Sequence, residues 1–285
     1  MSNLYAQSTE PIFSCEFFPP RSEEAQASLE RELPKLMSLP FQLATCTNGA
    51  CGSDRSGTAE TLRKIGQEGA VTLAAHLCCR GSTPDELKST VNHLKDAGAR
   101  WIVALRGDRE SPRGFQHADQ LVSLLNEEYP ELGVVVAGYP ETHPESETAQ
   151  SDLIFLKQKI DSGAHAVYTQ FFFENSVFLR YRDRCAKIGI DTPIIPGILP
   201  IKSLRQVERL VERCGANLTD DLKKHLSEAE DEAEAGFQFT LNLVRGLLEE
   251  GVAGLHFYAL NEATFVTRLF EELGLVRDSA HSCLA

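Results

Sequence analysis

The sequence is short of basic residues and of long apolar runs. Its 285 residues include 28 Lys and Arg against 41 Asp and Glu, a net charge of -13. A chain this acidic is not expected to bind nucleic acid or an anionic membrane through a general surface. No apolar run reaches the length of a membrane span, and residues 1–11 lack the apolar core of a signal peptide. These absences predict a cytoplasmic protein without nucleic acid or membrane as a partner.

The eight cysteines lack both the spacing of a disulfide framework and the CxxC pairs of a metal site. We expect them to be reduced thiols. Cys78 and Cys79 follow His76 closely enough to suggest metal ligands, but a zinc site needs four well-spaced ligands. The sequence therefore predicts no metal site.

Short apolar runs alternate with amphipathic helical stretches along the whole chain. Eight such units without a linker predict one α/β domain, a (β/α)8 TIM barrel over residues 12–276, with flexible ends at 1–11 and 277–285. An acidic helical segment, Thr219–Ala235, is predicted as an addition before the eighth strand. An open doubly wound sheet is disfavoured, because Pro19-Pro20 stands where a GxGxxG turn would follow the first strand. The predicted strands are Ile12–Phe17, Phe41–Cys46, Val71–His76, Trp101–Leu105, Val134–Tyr139, Ala166–Gln170, Ile194–Ile198 and Gly254–Phe257.

Glu16 stands at the carboxyl end of the first predicted strand, where ligands bind in a parallel barrel. Cys15, Phe17 and Phe18 flank it, so partial desolvation is expected to raise the pKa of its carboxyl group and suit it to general acid catalysis. The alternative is a carboxylate that projects into solvent beside an aromatic pair.

Polar and aromatic residues follow the other predicted strands, as in a pocket for a flat ligand. Asp108 supplies a second carboxylate, and the alternative for its Arg-Gly-Asp stretch is a plain turn with a local ion pair. No Ser/His/Asp arrangement stands out. The residues expected to face the barrel mouth include Glu16, Thr47, Asn48, Ala50, His76, Arg106, Gly107, Asp108, Tyr139, His143, Gln170 and Tyr258.

Seven stretches together resemble the methylenetetrahydrofolate reductase family, in its bacterial single-domain flavoprotein form. They lie between residues 14 and 261 in the order of that family, and each alone is a weak signal. They are Phe17-Phe18-Pro19-Pro20-Arg21 after Glu16, His76-Leu77, Ala104-Leu105-Arg106-Gly107-Asp108, Tyr139-Pro140-Glu141 with His143-Pro144-Glu145, Thr169-Gln170-Phe171-Phe172-Phe173, Pro196-Gly197-Ile198-Leu199-Pro200, and His256-Phe257-Tyr258 with Leu260-Asn261.

The resemblance implies a barrel that holds FAD and reduces 5,10-methylenetetrahydrofolate to 5-methyltetrahydrofolate with NADH or NADPH, supplying methyl groups for methionine synthesis. It implies that Glu16 is the acid and that Asp108 acts beside the flavin. The implied cofactor contacts are Thr47, Asn48, Ala50, His76, Arg106, Gly107, Asp108, His117, Ala118, Tyr139, His143, Asp152 and Lys159. The implied substrate contacts are Glu16, Thr47, Asp108, Gln170, Gln206 and Tyr258. Without the resemblance, Asp152 and Lys159 would be read as a solvated helix face.

Several positions depart from the pattern of the family. Asn48 stands where an aromatic residue is usual, and His117 replaces a usual Tyr. Phe155 and Gln158 replace polar or basic residues near the FAD phosphates, and Glu262 would repel a folate carboxylate. The alternatives are a zinc-dependent homocysteine methyltransferase-like barrel and a barrel that binds flavin or folate without catalysis. The sequence leaves open which nucleotide is the donor and whether the chain forms a homo-oligomer.

Overall fold

The eight predicted strands close into one parallel barrel. The computed structural model describes residues 4–48, 56–108 and 111–276. Each strand pairs with its neighbours in chain order, and β1 pairs with β8 to close the ring. The strands are β1 Ile12–Phe17, β2 Leu43–Cys46, β3 Thr72–Cys78, β4 Trp101–Leu105, β5 Gly133–Gly138, β6 Ala166–Phe171, β7 Ile194–Ile198 and β8 Gly254–Phe257. The (β/α)8 fold class predicted from the sequence is confirmed.

Helices follow each strand and cover the outside of the barrel. Several begin at a residue whose side chain accepts a hydrogen bond from the first turn, such as Thr83 before α4 and Thr148 before α6. In the part of the chain that is described, no helix combines the length and apolar character needed to cross a membrane. The helices are α1 Leu4–Gln7, α2 Glu23–Met37, α3 Ser56–Glu68, α4 Pro84–Asp96, α5 Ala118–Glu128, α6 Ala149–Asp161, α7 Asn175–Lys187, α8 Leu204–Cys214, α9 Asp220–Ser227, α10 Glu232–Glu249 and α11 Thr264–Glu272.

The extra acidic helical segment predicted before β8, Thr219–Ala235, is present and is divided in two. It forms α9 and the first turn of α10, with a break between Ser227 and Glu232. The break has a local cause, because the Asp231 side chain accepts a hydrogen bond from Glu234 N and so starts a new helix. Leu222 and Leu226 are buried and form the inner face of α9.

Side chains alternate in direction along the strands, so the barrel has two separate apolar cores, one inside it and one under the helices. Side chains that point outward pack under the helices, as Cys15 and Phe17 do. Side chains that point inward fill the barrel, and their apolar lower layers are built from Ile12, Leu43, Ala74, Trp101, Val103, Val135, Ala166, Tyr168 and Ile195. Ser14 and Glu16 continue the inward series of Ile12 on β1, so this strand carries polar groups from the barrel interior to its mouth.

The floor of the barrel is completed by residues 4–7, which lie within the N-terminal stretch predicted to be flexible. Leu4–Gln7 forms the short helix α1, and its Tyr5 is 3% exposed. The Tyr5 ring packs edge-on against Trp101 and Tyr168, and its hydroxyl lies 2.6 Å from the Tyr168 hydroxyl. Burial of an aromatic ring at the open lower end of the barrel explains why this segment is structured.

A register irregularity on β6 shapes the mouth. Pairing between β6 and β7 shifts between Tyr168 and Phe171. Inside the shift, the Thr169 side chain accepts from Gly197 N, and the Thr169 carbonyl accepts from the Tyr258 hydroxyl at 2.8 Å. A Cβ at Gly197 would lie 2.2 Å from that carbonyl oxygen, so only glycine allows this approach. The irregularity therefore fixes Tyr258 against β6, beside Gln170.

Candidate active site

Glu16 lies between two histidines at the carboxyl end of the barrel. Its Oε2 is 3.4 Å from His76 Nε2 on β3 and 3.6 Å from His256 Nε2 on β8. The side chains of Glu16, His76 and His256 are 17%, 10% and 1% exposed, so Glu16 is the least buried of the three. The two imidazoles hold the carboxylate in place and leave one side of it open to a ligand.

The pKa of Glu16 differs from the sequence prediction in direction. Burial does raise the pKa of the carboxyl group, as expected, but hydrogen bonding to His256 and the charges of both imidazoles outweigh burial and lower it below its ordinary value. The expectation of a raised pKa was wrong. It considered only the residues next to Glu16 on β1, and His76 and His256, which lower the pKa, come from other strands. Glu16 is thus a carboxylate in the ligand-free protein.

His256 is held from three directions. Its Nδ1 lies 2.9 Å from the Ser14 hydroxyl, and its ring stacks on Tyr168 with 4.2 Å between centroids and 19° between planes. Tyr258 approaches the same ring edge-on at 5.1 Å. Ser14 is two residues before Glu16 on β1, so both point into the barrel. This side of the site is rigid before any ligand arrives.

The side of Glu16 toward β2 and β3 is different. Thr45 Oγ1, Asn48 Oδ1 and His76 Nε2 are buried and make no hydrogen bond within the described residues. Thr45 pairs in register with Glu16, and His76 lies on the next strand, so these polar atoms line one side of the mouth. Buried polar atoms without partners are rare in native proteins and indicate a place that a ligand fills.

A second group of predicted residues forms a connected loop network beyond β4 and β5. Arg106 donates two hydrogen bonds to Glu145, at 2.7 and 2.6 Å. Glu145 N donates to His143 Nδ1, His143 N donates to Asp152 Oδ2, and the Tyr139 and His143 rings touch edge-on. Asp152 therefore ties the loop after β5 to α6, in addition to the cofactor contact that the resemblance implies.

Tyr139 connects this network to Asp108. Burial, with a smaller contribution from the nearby charges of Asp108 and Asp152, raises the pKa of the Tyr139 hydroxyl to about 12. Asp108 itself is exposed and follows Gly107, whose φ of +87° turns the chain after β4. The structure thus brings Arg106, Asp108 and Tyr139 to one part of the mouth.

Lys159 adds a buried amino group whose pKa is lowered, so it loses its charge more readily than an exposed lysine. Its Nζ donates to the Ala137 carbonyl at 2.6 Å. Burial lowers the pKa of its ammonium group to about 8, while the charges of Asp152 and Asp119 act in the opposite direction. Because Asp119 follows Ala118 in the first turn of α5, the predicted residues His117 and Ala118 lie on the same side of the barrel as Lys159. An anion bound here would favour the charged form of this lysine.

The remaining predicted residues have less direct roles in the ligand-free protein. Thr47 is half-buried, and its N donates to the Phe17 carbonyl. Gln170 accepts a hydrogen bond from Phe171 N. Gln206 accepts from Lys202 N at the start of α8, and no contact brings it to Glu16. Ala50 lies outside the described residues.

Glu262 is not the isolated negative charge that its sequence suggests. Its Oε2 is paired with Lys202 Nζ, which joins the loop after β7 to the loop after β8. Both side chains are partly exposed. A ligand carboxylate that approaches this edge therefore meets a paired lysine as well as a glutamate.

Sequence reasoning missed the residues that support Glu16 from within the barrel. His256 occurs in one of the seven stretches without an assigned role, and no role is assigned from the sequence to Ser14, Thr45 or Tyr168. Strand alternation is the signal that identifies them, since Ser14 shares the inward parity of Glu16, and His256 pairs in register with Ser14.

These observations define a (β/α)8 barrel with a carboxylate between two imidazoles at the carboxyl ends of its strands. A family model, methylenetetrahydrofolate reductase, matches residues 2–274. The chain belongs to the methylenetetrahydrofolate reductase family.

Relatives from bacteria and plants agree with this assignment. The chain is 37% identical to 5,10-methylenetetrahydrofolate reductase of Escherichia coli over 268 residues, covering 92% of this chain and 90% of that protein. It is 31% identical to methylenetetrahydrofolate reductase (NADH) 1 of Arabidopsis thaliana, covering 94% of this chain and 49% of that protein. A solved structure of a Clostridium thermocellum protein that binds two copies of 5-methyl-5,6,7,8-tetrahydrofolic acid shares the fold, with a TM-score of 0.71, 14% identity, and coverage of 94% and 97%.

Proposed function

We propose that this protein reduces 5,10-methylenetetrahydrofolate to 5-methyltetrahydrofolate with FAD as cofactor and NADH or NADPH as donor. Membership of the family and the names of its relatives support the reaction. The observation that carries the proposal is the position of Glu16, open to the barrel mouth between His76 and His256. The product would supply methyl groups for methionine synthesis in the cytoplasm.

The residues at the mouth fit FAD. Arg106 and Lys159 are cations suited to its pyrophosphate, and the first turn of α5 after His117 presents backbone N–H groups of the kind that bind phosphate. The unpartnered atoms of Asn48 and His76 suit the polar edge of a flat ring. FAD, when bound, accepts hydride from the nicotinamide donor and gives hydride to the folate.

The chemical task of Glu16 is to place a proton on the folate nitrogen that leaves when the methylene bridge opens. The bond from the one-carbon unit to that nitrogen breaks, the nitrogen keeps the proton, and the remaining iminium carbon accepts hydride. Because the free carboxyl group has a lowered pKa, Glu16 must first gain a proton. A folate ring that covers Glu16 and excludes water would raise its pKa and make this protonation easier.

Asp108 and Gln170 have separate tasks in this proposal. The carboxylate of Asp108 would stabilise the cationic iminium electrostatically, and its exposure leaves it free to meet a ligand. The Gln170 amide carries both donor and acceptor groups, which suits it to folate and nicotinamide in turn. Tyr258, fixed against β6 by its bond to Thr169, would form one wall of the substrate site.

The experiment is an anaerobic spectrum of the purified protein in two steps. Denaturation should release the bound flavin, and the released flavin should be identified as FAD. NADH or NADPH should bleach it, and 5,10-methylenetetrahydrofolate should then restore the colour with formation of 5-methyltetrahydrofolate. Protein that stays colourless after incubation with FAD would contradict the cofactor assignment. Bleaching without return of colour on adding folate would favour the alternative of a non-catalytic folate-binding barrel.

The zinc-dependent alternative has no observation in its favour. Among the described residues, no three His, Cys, Asp or Glu side chains are grouped to hold a metal ion. The Cys79 thiol instead donates to the backbone carbonyls of His117 and Arg106. Burial raises its pKa to about 12, which opposes the thiolate form that a metal ligand needs.

A further inference from the structure

The register irregularity on β6 contains the proposed ligand contact Gln170. Pairing with β7 is regular up to Tyr168 and resumes at Phe171, which lies opposite Gly197. Thr169 and Gln170 lie between these points, opposite a single residue of β7, so β6 carries an extra residue there, as in a β-bulge. Strand alternation alone does not set the direction of a side chain in a bulge. Other contacts must therefore orient Gln170.

The hydrogen bonds of Thr169 are redistributed in this bulge. Thr169 is 0% exposed, so its carbonyl needs a donor from within the protein. Gly197 N donates to the Thr169 hydroxyl at 2.9 Å, and the Thr169 carbonyl accepts from the Tyr258 hydroxyl at 2.8 Å. One donor from β7 and one from the loop after β8 thus hold the residue that directly precedes Gln170.

Tyr258 is itself fixed in a closely fitting position. Its ring lies edge-on to Phe171 at 6.0 Å and to His256 at 5.1 Å between centroids. A Cβ at Gly197 would lie 2.7 Å from Tyr258 Cε2, so the ring fits because glycine stands there. Burial raises the pKa of the Tyr258 phenol well above its ordinary value. The hydroxyl therefore keeps its proton and remains a donor near neutral pH.

We propose that Tyr258 is a positioning residue for Gln170, because its hydroxyl holds the Thr169 carbonyl and so fixes the peptide plane from which Gln170 leaves β6. This inference rests on the proposed role of Gln170 in binding the folate. The Thr169 carbonyl lies in the planar peptide unit that joins the two residues, so a bond to its oxygen restrains rotation of that unit. Without the Tyr258 hydroxyl, Gly197 N is the donor on the adjoining strand that can turn to the carbonyl, and the bulge with Gln170 then shifts.

Two variants each remove one of the bonds that hold the bulge. Tyr258→Phe keeps the ring and removes the donor to the Thr169 carbonyl, and Thr169→Val removes the hydroxyl that accepts from Gly197 N. Thr169→Ser is the matched control, because it keeps that hydroxyl. Tyr129→Phe is the distant control, since it also breaks a bond from a phenol to a backbone carbonyl, that of Lys88. Melting temperatures of all four variants identify any general loss of stability.

The first measurement is the crystal structure of the purified Tyr258→Phe protein beside those of the wild type and Tyr129→Phe. In Tyr258→Phe, Gly197 N should bond to the Thr169 carbonyl in place of the hydroxyl, and the Gln170 amide should be displaced. Tyr129→Phe should keep the wild-type bulge. A bulge and a Gln170 amide that are unchanged in Tyr258→Phe would overturn the proposal.

The second measurement is a double-mutant cycle on the affinity of the flavin-replete protein for 5-methyltetrahydrofolate, measured by calorimetry. Tyr258→Phe and Gln170→Ala should each weaken binding by about 3–10-fold, the usual contribution of one hydrogen bond. The double variant should bind no more weakly than Gln170→Ala, because the hydroxyl acts through Gln170. Thr169→Val should resemble Tyr258→Phe, and Thr169→Ser should resemble the wild type. Effects that multiply in the double variant would show that Tyr258 acts independently of Gln170 and would overturn the proposal.

Failure of the proposed function is distinguishable from failure of this inference. Wild-type affinity in Gln170→Ala would contradict the role of Gln170 in the proposed function. The crystal structures require neither flavin nor folate, so they decide separately whether the Tyr258 hydroxyl holds Gln170 in place.

Discussion

On the β8 side of Glu16, His256 is hydrogen-bonded by Ser14 and stacked on Tyr168, whereas on the β2–β3 side Thr45 Oγ1 and Asn48 Oδ1 are buried and make no hydrogen bond within the described residues. The two sides flank the same carboxylate at 3.6 and 3.4 Å. The first side is complete without a ligand, and the second has hydrogen-bonding capacity left over. The difference indicates that the Glu16 carboxylate is fixed by the protein on one side and has buried hydrogen-bonding groups beside it that can meet a ligand on the other.

The strongest test of this comparison removes the carboxylate that both sides share. Glu16→Gln keeps the size of the side chain but has no proton to give to the folate nitrogen. Flavin reoxidation by the folate should fall by about 10²–10⁴-fold, the usual contribution of a positioned acid. Flavin reduction by NADH or NADPH needs no such proton and should stay near the wild-type rate.

Stopped-flow measurement of the two half-reactions checks this prediction. Flavin content must be measured first, so that lost cofactor is not mistaken for lost chemistry. Reoxidation at the wild-type rate in flavin-replete Glu16→Gln would show that another group supplies the proton.

The two sides should respond differently when each loses one hydroxyl. Ser14→Ala leaves His256 Nδ1 buried without its partner and should cost about 1–3 kcal/mol of unfolding free energy. Thr45→Val removes a buried hydroxyl that has no partner within the described residues, at nearly constant shape, and should change stability by less than about 0.5 kcal/mol or raise it.

Urea unfolding of flavin-free protein, with both variants at one pH, gives these two values. Equal losses would mean that Thr45 is as well satisfied as Ser14. The two sides would then not differ in the way described.

The smallest expected effect is a pH dependence that comes from His76. Burial lowers the pKa of its imidazole below the usual 6.5, although Glu16 pulls in the other direction. Between the folded and unfolded pKa values, the His76 imidazole therefore stays neutral in the folded protein and is protonated in the unfolded chain. Stability from this group is complete above about pH 6.5 and is lost as the pH falls through the folded pKa, by at most about 1.4 kcal/mol per pH unit.

His76→Gln has no titrating imidazole at this position. Its free energy of unfolding relative to wild type should therefore increase as the pH falls from 7 to 5. Glu16 has a lowered pKa and titrates below about 4.5, outside this window. Unfolding free energies measured from pH 8 to pH 5 provide the check, with the values above pH 7 as the internal reference. A constant difference over the whole range would contradict a neutral, buried His76.

The fold could be predicted closely because strand ends are local signals. Trp101–Leu105, Ile194–Ile198 and Gly254–Phe257 have the predicted bounds, since each is a short apolar run limited by residues that end strands. The helical segment predicted at Thr219–Ala235 is present, but its division into two helices could not be predicted, because the Asp231 cap that divides it is one polar residue in a polar stretch.

The site could be predicted only in part, because its electrostatics depend on contacts between distant strands. Glu16 was found from its place after β1, but the direction of its pKa depends on His76 and His256, 60 and 240 residues away along the chain. The cofactor contacts implied by the resemblance stay predictions, although Arg106, Asp108, Tyr139 and Lys159 do lie along one side of the mouth.

The pairing of β1 with β8 also has a kinetic consequence. Ser14 and His256 are 242 residues apart along the chain, and they meet only when the last strand completes the ring. Contacts of such long sequence separation are entropically costly to close and tend to form slowly. Folding intermediates that still lack this seam would have Glu16 without its imidazole partner on β8, so completion of the barrel and assembly of the Glu16–His256 pair are one event.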